Sequence, residues 1–93
     1  MKYTRIEGKN KGKVVLYAIS TCMWCKKTKR LLNELGVQYD YIDVDLLTGE
    51  EKEEAKKEVL RWRKRAVYPL LVINDLYCIK SYDEEEIKEA LEG

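Results

Sequence analysis

The sequence predicts a single α/β domain: a mixed four-stranded sheet flanked by three helices, ordered strand, helix, strand, helix, strand, strand, helix (β-α-β-α-β-β-α). Residues 1–12 precede it as a polar leader or a short extra edge strand, and residues 13–93 form the domain. Three observations carry this. An apolar run at 14–19 leads straight into a helical repeat that opens with a Cys-x-x-Cys pair. A second apolar and aromatic run at 37–44 follows Gly36, and a strand, a helix and another strand in so little chain make a crossover with a parallel pair. Toward the C-terminus, runs at 70–73 and 76–79 are joined by Asn74-Asp75, a hairpin signature.

Residues 3–7 alternate in polarity as a short strand would, ahead of a turn between Gly8 and Gly12. Residues 14–19 read as a buried strand. Thr28, Leu31, Leu32 and Leu35 share one face of a helix over 23–35, stopped by Gly36. The mixed apolar positions of 37–44 suit a strand covered on both faces. Thr48 with Glu51 reads as a capping box opening a helix from Glu50 to about Lys64, with Ala55, Val59, Trp62 and Ala66 on its narrow apolar face. Acidic residues crowd its start and basic ones its end. The cluster Arg61, Arg63, Lys64 and Arg65 is thus either a solvated, dipole-matched helix end or a docking patch for an acidic protein. Ser81 or Asp83 caps a last helix with Ile87, Ala90 and Leu91 inward.

The chemistry sits at Cys22 and Cys25. Cys22 falls at the helix N-cap and Cys25 one turn inside. Free N–H groups of the first turn, the helix dipole and the nearby Lys26, Lys27 and Lys29 favour a thiolate at Cys22. Cys22 is therefore expected to be the exposed, attacking sulfur and Cys25 the resolving thiol that closes a disulfide and releases the reduced partner. Two other uses of the pair fit less well. Zinc would need two more ligands, and the chain has no His and one other cysteine, Cys78. Inert core thiols do not account for a helix N-terminus beside lysines. Cys78 itself reads as core packing in a strand.

The whole chain narrows the classes. Eighteen basic and seventeen acidic residues in 93 nearly cancel, so nothing global points to nucleic acid or a membrane. No apolar stretch approaches a membrane span, and no signal-peptide pattern follows the basic start. The expected location is the cytoplasm, where a disulfide serves catalysis more often than structure, and three cysteines cannot all pair internally.

The element order, Val15-Leu16-Tyr17 leading to Cys22-Met23-Trp24-Cys25, the Tyr68-Pro69 step and the run Pro69-Leu70-Leu71-Val72-Ile73-Asn74 together resemble the thioredoxin fold and, within it, the glutaredoxin family. Ile42-Asp43-Val44-Asp45 resembles the family's second strand, and the aromatic before the second cysteine is the family's pattern. The small redoxins that donate electrons to ribonucleotide reductase are also similar. The resemblance implies a thiol–disulfide oxidoreductase acting on protein disulfides. It implies a cis peptide at Tyr68-Pro69 against the two sulfurs, with backbone groups there free to pair with a substrate as an added strand. Met23 and Trp24 form an apolar rim in this reading, although Trp24 is equally suited to packing on the sheet. Asp83 matches a residue the family uses for glutathione. Ile19 stands where the family has a lysine, however, and Lys80-Ser81 where it has two glycines, so two glutathione contacts are missing. Glutathione and a protein reductase are both expected candidates for the electron source, and no cofactor is required. Met23 replaces the family's usual proline, a change that accompanies [2Fe–2S] binding between two subunits with glutathione as co-ligand. A cluster carrier is the alternative reading, and a redox-inert adaptor using residues 61–65 a third. The expected state is a monomer.

Overall fold

The computed structural model describes residues 3–92, so Met1 and Lys2 of the expected leader, and Gly93, lie outside the described residues. The sheet has five strands, the expected four and the extra N-terminal edge strand. The order in space is β1 (Thr4–Ile6), β3 (Tyr39–Asp43), β2 (Val14–Ala18), β4 (Leu70–Ile73), β5 (Tyr77–Lys80). The helices are α1 (Met23–Leu35), α2 (Gly49–Trp62) and α3 (Glu84–Glu92), with a single 3-10 turn at Val44–Leu46.

The central strand explains its own sequence. β2 is parallel to β3 and antiparallel to β4, and all five of its residues are buried. Val14, Leu16 and Ala18 join one core cluster with Leu31 and Leu32 of α1 and Ile87 and Leu91 of α3. Val15 and Tyr17 join the other, with Ala55 and Val59 of α2. A strand covered on both faces needs apolar side chains at every position, hence the unbroken run.

The edge strand is the realised alternative for the N-terminus. β1 pairs antiparallel with β3, and opposite Arg5 stands Asp40, which accepts from the guanidinium Nε at 3.0 Å and Nη2 at 3.3 Å. Beyond β1 the chain is laced to the end of α1: Lys9 N–H donates to the Gly36 carbonyl at 2.8 Å and Gln38 N–H to the Lys9 carbonyl at 2.9 Å. Gly8 permits this approach, since a Cβ there would lie 2.6 Å from the Gly36 oxygen. Gly36, at φ 69°, ends α1 in the left-handed conformation expected of a helix stop.

Several element limits and one cap differ from expectation, among them β5, which runs Tyr77–Lys80 rather than 76–79. β3 begins at Tyr39, because Val37 pairs as an isolated bridge with Lys9 instead. Ile19 lies past the end of β2, where the chain turns toward α1. Thr48 does occupy the N-cap of α2, but no side-chain capping bond forms, so the capping box is absent. α2 ends at Trp62 rather than near Lys64, with Arg63 extended at φ −138° and ψ 148°, and Ala66 is exposed beyond the helix.

Candidate functional site

Residues at the ends of β2 and β3 position the first cysteine. Ser20 N–H and Oγ–H both donate to the Asp45 carboxylate in the 3-10 turn, the amide at 2.8 Å. These bonds hold Asp45 below the usual carboxylate range and tie the turn before Cys22 to the sheet. Cys22 N–H donates to the Ile19 carbonyl at 3.0 Å. Cys22 is then extended (φ −83°, ψ 120°), and its carbonyl accepts the first helical bond, from Lys26 N–H at 3.1 Å. Its side chain completes the cap, the Sγ accepting Cys25 N–H at 3.2 Å. A sulfur in that place faces an amide donor at the positive end of the helix, an arrangement that suits negative charge.

The two sulfurs differ in access. Cys22 is half-buried, while Cys25 is 1 % exposed and packs into the α1–α3 side of the core. Both are thiols in this structure. Burial first, and then the hydrogen bond to the Cys22 sulfur, push the Cys25 thiol up to about 12. The inner sulfur therefore stays protonated at neutral pH. Thr28 seats the helix beneath them, its buried hydroxyl donating to the Trp24 carbonyl at 2.8 Å. Cys78 belongs to the opposite side of the sheet, packed against the α2 cluster, so the sheet separates it from Cys25.

A cleft of about 230 Å³ lies beside the pair, lined by Trp24, Tyr68, Pro69, Ser81 and Tyr82. The Tyr68-Pro69 peptide is cis, as expected. Ser81 N–H donates to the Pro69 carbonyl at 3.1 Å and so holds the start of β4 against the end of β5. No backbone hydrogen bond among the described residues engages Tyr68, which leaves its N–H and C=O for an added strand. The Tyr68 hydroxyl is buried without a hydrogen-bond partner among the described residues. Burial, and the nearness of Cys25, raise its pKa.

Of the sequence-predicted site residues, Trp24, Tyr68 and Pro69 line this cleft, and Tyr68 packs against the core cluster that holds Cys22 and Cys25. Met23 is 69 % exposed at the helix start and Trp24 53 %, so the tryptophan stands on the rim rather than packing on the sheet. It stacks on Tyr82, with centroids 5.8 Å apart, and Lys27 Nζ lies 4.6 Å from its ring centroid. Asp83 does not line the cleft. It caps α3, accepting Glu86 N–H on Oδ1 at 3.0 Å. Lys29 pairs with Asp43 at 3.1 Å and lies over the Tyr41 ring, while its charge still weakly opposes the rise at Cys25. Sequence reasoning missed Tyr82, Ser20 and Asp45. Each contributes through a contact distant in sequence, and no local pattern marks it.

Among the described residues, no group of three or more Cys, Asp or Glu is placed to hold a metal ion. With Cys25 buried, a chain offers one accessible sulfur at this site, and a [2Fe–2S] cluster would need its remaining ligands from outside the chain.

A cysteine pair across the first turn of a helix that follows the central strand, with a cis proline at the opening of β4, defines a thioredoxin-like thiol redox protein. The glutaredoxin family model matches residues 14–78. Glutaredoxin 1 of Rickettsia felis is 30 % identical over 86 residues, 86 % of this chain and 81 % of that protein. Among solved structures, the glutaredoxin of Methanosarcina mazei superposes with a TM-score of 0.90 at 46 % identity, covering 98 % of this chain and 88 % of that one. Methanoredoxin of Methanosarcina acetivorans gives 0.88 at 48 % identity, covering 90 % and 88 %. The chain belongs to the glutaredoxin family.

Proposed function

We propose that this chain reduces disulfides in proteins by a two-step exchange between Cys22 and Cys25. The observation that carries the reading is the division of labour within one helical turn. Cys22 is accessible and accepts a helix N-terminal amide, while Cys25 is buried beneath it and kept protonated.

In the first step the Cys22 thiolate attacks one sulfur of the substrate disulfide. A Cys22–substrate disulfide forms and the other substrate sulfur leaves as a thiolate, which takes up a proton. With its sulfur now bonded, Cys22 no longer accepts from Cys25 or carries charge beside it. Two of the influences that raise the Cys25 thiol disappear, and burial remains. Cys25 then loses its proton and attacks the Cys22 sulfur. The Cys22–Cys25 disulfide closes, and the second substrate sulfur departs and is protonated. Two electrons and two protons have passed to the substrate. Tyr68 backbone groups and the Trp24–Tyr82 stack hold the substrate strand. No cofactor takes part in this exchange. The oxidised protein is reloaded by a protein reductase or by glutathione, and Ile19 and Lys80-Ser81, where the family has a lysine and two glycines, favour the reductase. We place the activity in the cytoplasm, with the chain as a monomer.

The test is a single turnover with an oxidised protein substrate. Cys22→Ser abolishes exchange, and Cys25→Ser accumulates a mixed disulfide detectable by intact mass. Undiminished exchange by Cys22→Ser overturns the reading. Re-reduction with glutathione in one tube and a protein dithiol-reductase system in the other identifies the donor.

A further inference from the structure

Next to the cleft lies a second groove, of about 390 Å³, lined by Trp62, Arg63, Lys64, Arg65, Val67 and Lys80. Four of its six residues are cations and none is acidic, in a chain whose net charge is only +1. The ion pairs among the described residues engage Arg5, Lys13, Lys29, Arg61 and Lys88, and none of the four groove cations. Dipole matching accounts only for Arg61, which lies in the last turn of α2 and pairs with Glu58 at 3.1 Å. Arg63 is the cap, and Lys64 and Arg65 lie beyond the helix.

The groove and the cleft are continuous along two chain segments. Val67 leads into Tyr68-Pro69, and Lys80 leads into Ser81 and Tyr82, with the Ser81 to Pro69 hydrogen bond joining the two. A substrate strand paired with the Tyr68 backbone therefore runs from the sulfurs toward the cations. The four steps from Arg65 to Pro69 span at most about 13 Å when extended, so substrate residues three or four places from the reacting cysteine reach the groove. Trp62 and Val67 supply an apolar floor for the stems of such side chains.

We infer that this groove selects polypeptide substrates that carry acidic residues three or four positions from the cysteine to be reduced. The inference rests on the proposed exchange at Cys22 and names its substrate class. Four cations without internal partners attract an acidic strand before contact and set its register on the cleft afterwards.

Two peptide disulfides, identical except for Glu or Gln at those positions, test it. The second-order rate of oxidation of the reduced protein is measured by quenching and mass, with bis(2-hydroxyethyl) disulfide as an uncharged reference in every preparation. The Glu peptide is expected to react about tenfold faster at low ionic strength, and the advantage collapses near 0.5 M salt, where the screening length falls to several ångströms. In Arg63→Gln/Lys64→Gln/Arg65→Gln the ratio of Glu to Gln peptide, each taken relative to the reference, falls toward one. Equal rates for the two peptides overturn the inference, as does a ratio unchanged in the variant. A groove that serves a small anionic disulfide instead would speed oxidised glutathione through these residues and leave the peptides equal, which also overturns it. If neither the peptides nor the reference oxidise the protein, the exchange at Cys22 itself has failed. If the reference reacts and the peptides do not differ, only the groove has.

Discussion

The helices of this molecule begin in two contrasting ways. α2 carries Glu50 and Glu51 in its first turn, and α3 carries Glu84, Glu85 and Glu86, so the positive end of each dipole is met by carboxylates. The first turn of α1 has no acidic residue, and the group seated at its N-terminus is the sulfur of Cys22. The same physics operates at all three. At two of them it stabilises the fold, and at α1 the place for an anion is left to the reactive atom.

The sharpest break with neutral conditions is expected at the inner cysteine of that helix. Cys25 titrates near 12 against an ordinary 9.0, and burial likewise lifts Tyr39 to about 12 from 10.0. The folded chain holds these protons where the unfolded chain has released them. Their stabilisation is complete below pH 9 and is lost as pH rises from 9 to about 12. Thermal unfolding of the reduced protein should therefore fall steeply over that window. Cys25→Ser should fall less, because only the contributions of Tyr39 and of Tyr17, which burial raises further still, remain.

Making α1 resemble its neighbours is the next test. Met23→Glu places a carboxylate in the first turn, at a residue already 69 % exposed. Alkylation of Cys22 by iodoacetamide at pH 7 should slow by roughly two- to fivefold, the effect of one charge at a helix terminus, while thermal stability holds or rises slightly. Slower alkylation with lower stability would mean the helix start had been damaged rather than recharged.

The smallest effects separate the two carboxylate-rich starts. Asp83 makes a side-chain cap bond at 3.0 Å and Thr48 makes none. Asp83→Ala should cost about 1 kcal/mol in denaturant unfolding. Thr48→Ala should cost only a few tenths of a kcal/mol, since extended backbone rather than a hydroxyl bond sets that cap.

Much of this was legible in the residues. The α1 limits follow from helical spacing and Gly36, the two-sided core from the unbroken run at 14–18, and the cysteine pair from its place between strand and helix. What the sequence could not show are features created by approach in space. Trp24 is equally plausible as core or rim until Tyr82 arrives beneath it from beyond the hairpin. Ser20 and Asp45 are unremarkable until parallel pairing of β2 with β3 sets their strand ends side by side. The end of α2 at Trp62 is equally invisible in the residues, because Arg63 and Lys64 are good helix formers and no glycine or proline marks the stop.

β1 carries no chemistry, yet without it β3 would be the rim of the sheet, a row of backbone donors and acceptors open to any matching strand. The opposite rim, β5, is only four residues long and ends in a lysine, which discourages strand addition. Three residues of β1, fastened by Arg5 to Asp40 and by the close pass of Gly8 over Gly36, close the other side. The exposed rims are thereby reduced to two short strands of three and four residues.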